Sequence, residues 1–234
     1  MVAPFVDIGL DLSALGLSWA RMLPTVVLVP AFGLRALPMP VRAVLGLTLA
    51  LCIIPAASAG APMVVHEPWP VLVLENIVRG IPVALAAAIP LWAATMAGNI
   101  VDTLRGARDV WSVDVVAGKT GQIGVVFALL AATLFLQTGG PSRAALALAT
   151  GDFPAHPLLA AVRDLVSGIT LAIALAGPLL TASIVVEVAI ALVARASSPA
   201  QIYVLFPPLR TLALLVVLAF VLERIAFVLA RAMH

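Results

Sequence analysis

The chain has 234 residues, 63% of them apolar and 10% charged, with a mean hydropathy of +1.19 and a net charge of +2. Soluble domains carry roughly 25% charged residues, so 13 Lys+Arg and 11 Asp+Glu are too few to clothe a body of this length in water. A single cysteine, Cys52, excludes a disulfide scaffold, and the lack of any charge block excludes a disordered acidic tail or a basic nucleic-acid arm.

The first eleven residues carry Asp7 and Asp11 in place of a positive n-region, so the first apolar segment is expected to stay on the protein. A bilayer core needs about 20 apolar residues per helix, and six segments approach that length. Segment one, 12–34, is interrupted by Arg21, Pro24 and Pro30, and segment two, 43–65, by Pro55 and Pro62; both are expected to bend. Segment three runs from Val71 to Val101, too long for one straight span, with Glu75 and Arg79 near its start and Pro82 and Pro90 inside. Segment four, Ile123 to Thr138, is short and uniformly apolar, and Gly139-Gly140-Pro141 predicts its stop. Segment five, Leu165 to Val186, is the most regular span and continues past Glu187 to Ala194. Segment six is read as split by Pro207-Pro208 and Arg210, which leaves Thr211 to Leu222 too short for an independent span and suited to half of a hairpin. The Arg and Lys residues outside these segments divide only slightly unevenly between alternate sides, a weak bias toward termini outside the cytoplasm.

The most polar connection is 99–122, which joins segments three and four and concentrates glycine, charge and Trp111. A functional loop is expected there. Enzymatic constellations are missing. His66, His156 and His234 lack metal-ligand spacing, and no nucleophile elbow or phosphate loop is present. Gly118, Gly121 and Gly124 match no nucleotide fingerprint and read as a flexible turn.

Charges inside apolar segments cost several kcal/mol if they face lipid, so they seek a bundle interior or a partner. Arg21, Glu75, Arg79, Glu187 and Arg210 are such groups. Glu75 and Arg79 stand i,i+4 in the favourable order and are expected to pair. Asp102, Arg105 and Asp109 follow the same spacing and tie the end of segment three to the loop. Glu187 has no opposite charge one turn away, which leaves a partner elsewhere, a protonated state or exposure near headgroups. Arg195 lies eight residues on, on a similar face. Small pairs such as Ala94-x-x-x-Gly98 and Ala56-x-x-x-Gly60 allow close helix approach.

In this order, the residues resemble the T subunit family of the type III secretion export apparatus, homologous to the flagellar export protein called R. The resemblance rests on Arg21 with the proline-punctuated run to Pro30 and the Arg35–Arg42 turn, on Glu75-x-x-x-Arg79-Gly80, and on Ala97-Gly98-Asn-Ile-Val-Asp102-Thr-Leu-Arg105-Gly106-Ala107. It continues through Gly139-Gly140, Gly177-Pro178, Glu187, Arg195 and Pro208-Leu-Arg210. The Arg-Gly-Ala element is more like the injectisome branch than the flagellar one. Departures occur at Asp114-Val115, Ala191 and Gln201-Ile202-Tyr203.

The resemblance implies an all-α fold of hydrophobic, proline-kinked helical hairpins packed into a hetero-oligomeric export gate, with residues 1–234 as a single subunit domain and 99–122 as its pore-plug loop. It implies a non-enzymatic subunit of the bacterial inner membrane, raised toward the periplasm in the complex, with no cofactor and no metal. Its partners are then the R and S subunits, the U switch subunit, membrane lipid and unfolded secreted proteins as cargo, with no nucleic acid. Asp102, Arg105, Gly106, Arg108, Trp111, Asp114, Gly118 and Gly121 become plug residues, and Arg21, Glu75, Arg79, Glu187, Arg195 and Arg210 become intersubunit or intramembrane polar contacts. The competing reading is a small stand-alone secondary transporter or channel, because discontinuous helices with internal charges also mark substrate paths.

Overall fold

The computed structural model describes residues 12–29, 39–57, 68–106, 121–150, 153–196 and 206–233. Among these residues the only regular structure is helical: α1 Leu12–Leu28, α2 Met39–Ala57, α3 Trp69–Leu104, α4 Gln122–Gln137, α5 Gly140–Thr150, α6 Pro157–Ala196 and α7 Phe206–Ala232. The all-α expectation therefore holds. Three of these helices are long and apolar enough to cross a membrane, namely Trp69–Leu104, Pro157–Ala196 and the Pro208–Ala232 part of α7; α4 and α5 taken as one broken span make a fourth.

Segment three is one helix of 36 residues. Pro82 and Pro90 lie inside it, each removing one N–H from the ladder without ending the helix. Segment five extends in both directions to a helix of 40 residues with Pro178 inside it. Segment six differs from its reading as a broken half-hairpin. Pro207 and Pro208 fall in the first turn of a continuous 27-residue helix, where a proline has no intrahelical bond to lose and its fixed φ favours initiation. The Gly139-Gly140-Pro141 stop is also a restart: Gly139 takes φ +70°, a left-handed conformation open to glycine, and α5 begins at the next residue.

The described helices fall into two compact units, Met1–Ile89 with Gly139–Val166 and Pro90–Thr138 with Ser167–His234. In the first, α1 packs on α2, and α2 on α5. Met22, Ala50, Leu148 and Ala149 form the buried cluster, with Trp19 and Phe153 packed against it. The Trp19 indole N–H donates to the Ala43 carbonyl at 3.3 Å, which anchors α1 to α2. Gly80 of α3 lies against the Arg21 carbonyl of α1, where any β-carbon would collide with backbone.

In the second unit, α4 packs on α7. Ile123, Phe127, Ala131 and Phe135 recur every four residues as the buried stripe of α4, and Leu214, Ile225 and Leu229 are buried on α7. In this unit's part of α3 small side chains dominate the buried face, with Ala93, Ala94 and Ala97 buried, as Ala84 and Ala88 are in the part that belongs to the first unit. The buried stripe of α6 includes Ala172, Leu175, Ala176, Leu179 and Ser183. Beyond Ser183 no residue of α6 is buried, and Ile184, Val185, Val188, Leu192 and Val193 are all exposed.

Candidate functional site at the corner between α3 and α4

The end of α3 and the turn that follows it place Asn99, Asp102 and Arg105 three residues apart, hence along one face. Helix α4 starts beside them with Gly121 at its N-cap, a residue with no side chain to satisfy the first free N–H groups. Helix α3 supplies the missing acceptors. The Gly121 N–H donates to Asn99 Oδ1 at 3.2 Å, and the Gly124 N–H donates to Asp102 Oδ2 at 3.0 Å. Asp102 therefore caps a helix to which it does not belong, and its negative charge meets the positive end of the α4 dipole.

The second oxygen of Asp102 is also engaged. Arg105 Nε donates to Oδ1 at 2.8 Å and Nη2 approaches it at 2.7 Å. The same Nη2 donates to Gln122 Oε1 at 3.1 Å, which ties α3 to the first residue of α4. Asp102 is only 4% exposed, yet both its carboxylate oxygens have partners, the condition under which a buried charge is tolerated. Helix α3 then stops at Gly106, whose φ of +71° lies in the left-handed region.

Glycine makes the approach possible. A β-carbon on Gly98 would stand 2.6 Å from the Gly124 Cα, and one on Gly121 would collide with the Asp102 carboxylate. The Ala94-x-x-x-Gly98 spacing thus marks a real close contact. Of the residues expected to form the loop, Asp102, Arg105 and Gly121 meet at this corner and Gly106 is exposed just beyond it; Arg108, Trp111, Asp114 and Gly118 lie outside the described residues, as does Asp109. Sequence reasoning missed Asn99 and Gln122, and Gly124, expected in a flexible turn, is instead buried in the first turn of α4, where its N–H is held by Asp102. The Asn99-x-x-Asp102-x-x-Arg105 spacing was the available signal for Asn99.

The remaining predicted polar contacts form three separate places. Arg21 holds a polar node in the first unit: its Nε and Nη2 donate to Asn76 Oδ1 at 3.1 and 2.9 Å, its Nη1 donates to the Leu148 carbonyl at 3.2 Å, and its guanidinium stands 5.1 Å from the centre of the Phe153 ring. One arginine thereby links α1, α3 and α5, as suits its rigid fork of donors. Glu75 and Arg79 pair with each other, as their spacing predicts, on a half-exposed surface. They line one wall of a groove of about 660 Å³ opposite Phe153 and Pro154.

Glu187 finds its partner elsewhere in the chain, on α7, where Arg210 Nη2 approaches its Oε1 at 2.5 Å. Of the alternatives left open for Glu187, the structure shows a distant partner, with the side chain still half exposed. Arg195 is exposed in the last turn of α6, where a cation complements the dipole. Among the described residues no group of three or more His, Cys, Asp or Glu side chains gathers in a way that could hold a metal ion.

Comparison with known proteins adds a second line of argument. Residues 12–234 match the family described as bacterial export proteins, family 1. Over 74 residues the sequence is 32% identical to the secretion system apparatus protein SsaT of Salmonella typhimurium, a similarity that covers 31% of this chain and 28% of that relative.

Proposed function

This chain belongs to the bacterial export proteins, family 1, and from that premise we propose that it is a non-enzymatic core subunit of a type III protein export gate in the bacterial inner membrane. In this reading it completes the channel with R and S subunits, meets the U subunit, and gates the passage of unfolded proteins. The family match over nearly the whole chain carries the proposal. The similarity to a secretion system apparatus protein supports a secretion setting.

Two physical features fit a subunit set in membrane and protein. The last thirteen residues of α6 have no buried member, and α7 exposes Phe220 and Phe227. Apolar surface on that scale calls for cover by lipid or by protein. The half-exposed Glu187–Arg210 pair lies within the same surface, and intramembrane charge is costly against hydrocarbon; neighbouring subunits that offer polar groups relieve that cost. Coexpression with R and S subunits and gentle detergent extraction test the reading. Coelution of all three is the expected result, and a chain that remains monomeric beside them overturns it.

In this reading the stretch 107–120, which joins α3 to α4 in the sequence, is the plug of the closed channel. Replacing Arg108–Gly118 with a short Gly/Ser linker, which keeps Gly121 and its contacts, is expected to preserve assembly and make the inner membrane leaky to small solutes. Normal assembly with an unchanged leak removes the plug role.

A further inference from the structure

The family resemblance implies plug roles for Asp102 and Arg105. Their geometry argues for the opposite role. Each carboxylate oxygen of Asp102 has its own partner, Arg105 bridges onward to Gln122, and Asn99 takes the Gly121 N–H. Opening the corner would strand a carboxylate that is 4% exposed together with the first N–H groups of α4. The backbones are also seated on one another through Gly98 and Gly124 without space for a single β-carbon. Packing of that closeness favours one discrete arrangement over gradual deformation.

We propose that Asn99, Asp102 and Arg105 act as positioning residues that form a fixed anchor: the corner stays closed throughout transport, and rearrangement takes place outside it. This inference rests on the export-gate reading above. It assigns a role to Asn99 and Gln122, and it moves Asp102 and Arg105 from the gate to its frame.

The test is a reversible bridge across the corner. A chain carrying Arg105→Cys and Gln122→Cys is expressed in a strain that lacks the native gene, and export of the system's secreted proteins into the medium is followed. Restoration of export by the native chain tests the export reading itself; failure there sinks that reading and leaves the anchor question separate. A bifunctional methanethiosulfonate linking the two cysteines is expected to leave export within twofold of the unlinked variant. A loss of tenfold or more on linking, recovered on reduction, overturns the anchor while the export reading stands.

Should the double variant fail to assemble, hydrogen exchange on the native complex decides. The peptide spanning residues 121–124 is expected to exchange equally slowly at rest and with a substrate arrested in transit. A tenfold rise in its exchange rate in the arrested complex overturns the proposal.

Discussion

The Asp102 carboxylate at the end of α3 accepts the Gly124 backbone N–H at 3.0 Å and so caps α4 from outside that helix. The same group neutralises Arg105. Removing it takes away a helix cap and leaves a nearly buried cation unpaired. Breaking a buried pair from one side costs about 3–5 kcal/mol. Asp102→Ala is therefore expected to lower the thermal midpoint of the purified protein by several degrees. Asp102→Asn, which keeps one acceptor oxygen, is expected to fall between it and the native chain. Equal midpoints for all three proteins would show that the cap carries no stability.

Glycine substitutions should separate by what lies opposite each one. Gly98→Ala and Gly80→Ala drive a methyl group into backbone, at Gly124 and Arg21 respectively. Overpacking of this kind costs about 1–3 kcal/mol, and backbone cannot rotate aside. Gly177→Ala meets open space inside α6 and should be neutral or stabilising by up to about 1 kcal/mol through helix propensity. Chemical or thermal unfolding in detergent reads the ranking. A Gly98→Ala protein as stable as Gly177→Ala contradicts the close approach.

At Arg21 the geometry of the fork matters more than the charge. Lysine keeps the positive charge but cannot reach Asn76, the Leu148 carbonyl and the face of Phe153 together. Hydrogen bonds to charged groups contribute about 1.5–3 kcal/mol each, so Arg21→Lys is expected to destabilise by about 2 kcal/mol. An unchanged melting curve would mean that a point charge suffices.

The Glu187–Arg210 pair is predicted to change its value with its surroundings. In the isolated chain the side chains are 51% and 32% exposed, and such pairs contribute roughly 0–1 kcal/mol in water. A double-mutant cycle on Glu187→Gln and Arg210→Gln in the detergent-purified chain should return a coupling in that range. Scored instead by retention of the proposed complex with R and S subunits, the cycle should return a larger coupling, because neighbouring subunits would exclude water. Equal coupling in both settings places the pair outside any subunit contact.

Local spacing was legible in the sequence and long-range pairing was not. The Glu75–Arg79 pair follows from i,i+4 geometry alone, and the bounds of segment four agree with α4 to within one residue. Glu187 could not be matched to Arg210 in advance, since two residues on different helices meet by packing, and no spacing rule selects the partner. The cap on α4 escaped for a related reason: N-cap residues are sought just before the helix, where this chain has only Gly121. Pro207-Pro208 misled as a break because two prolines end a helix or begin one depending on which side the chain continues. The prolines inside α3 misled less, since a long apolar helix can lose single hydrogen bonds and persist.

The alanine-rich face of α3 has a consequence for how this helix can vary. Ala84, Ala88, Ala93, Ala94 and Ala97 leave almost nothing to truncate, so substitutions there cannot create the cavities that usually weaken a core. Every larger side chain, in contrast, must push the neighbouring helix away. Tolerance along this face is one-sided, and a mutational scan should find its losses growing with side-chain volume, with polar residues penalised beyond apolar ones of equal size because they are buried without partners.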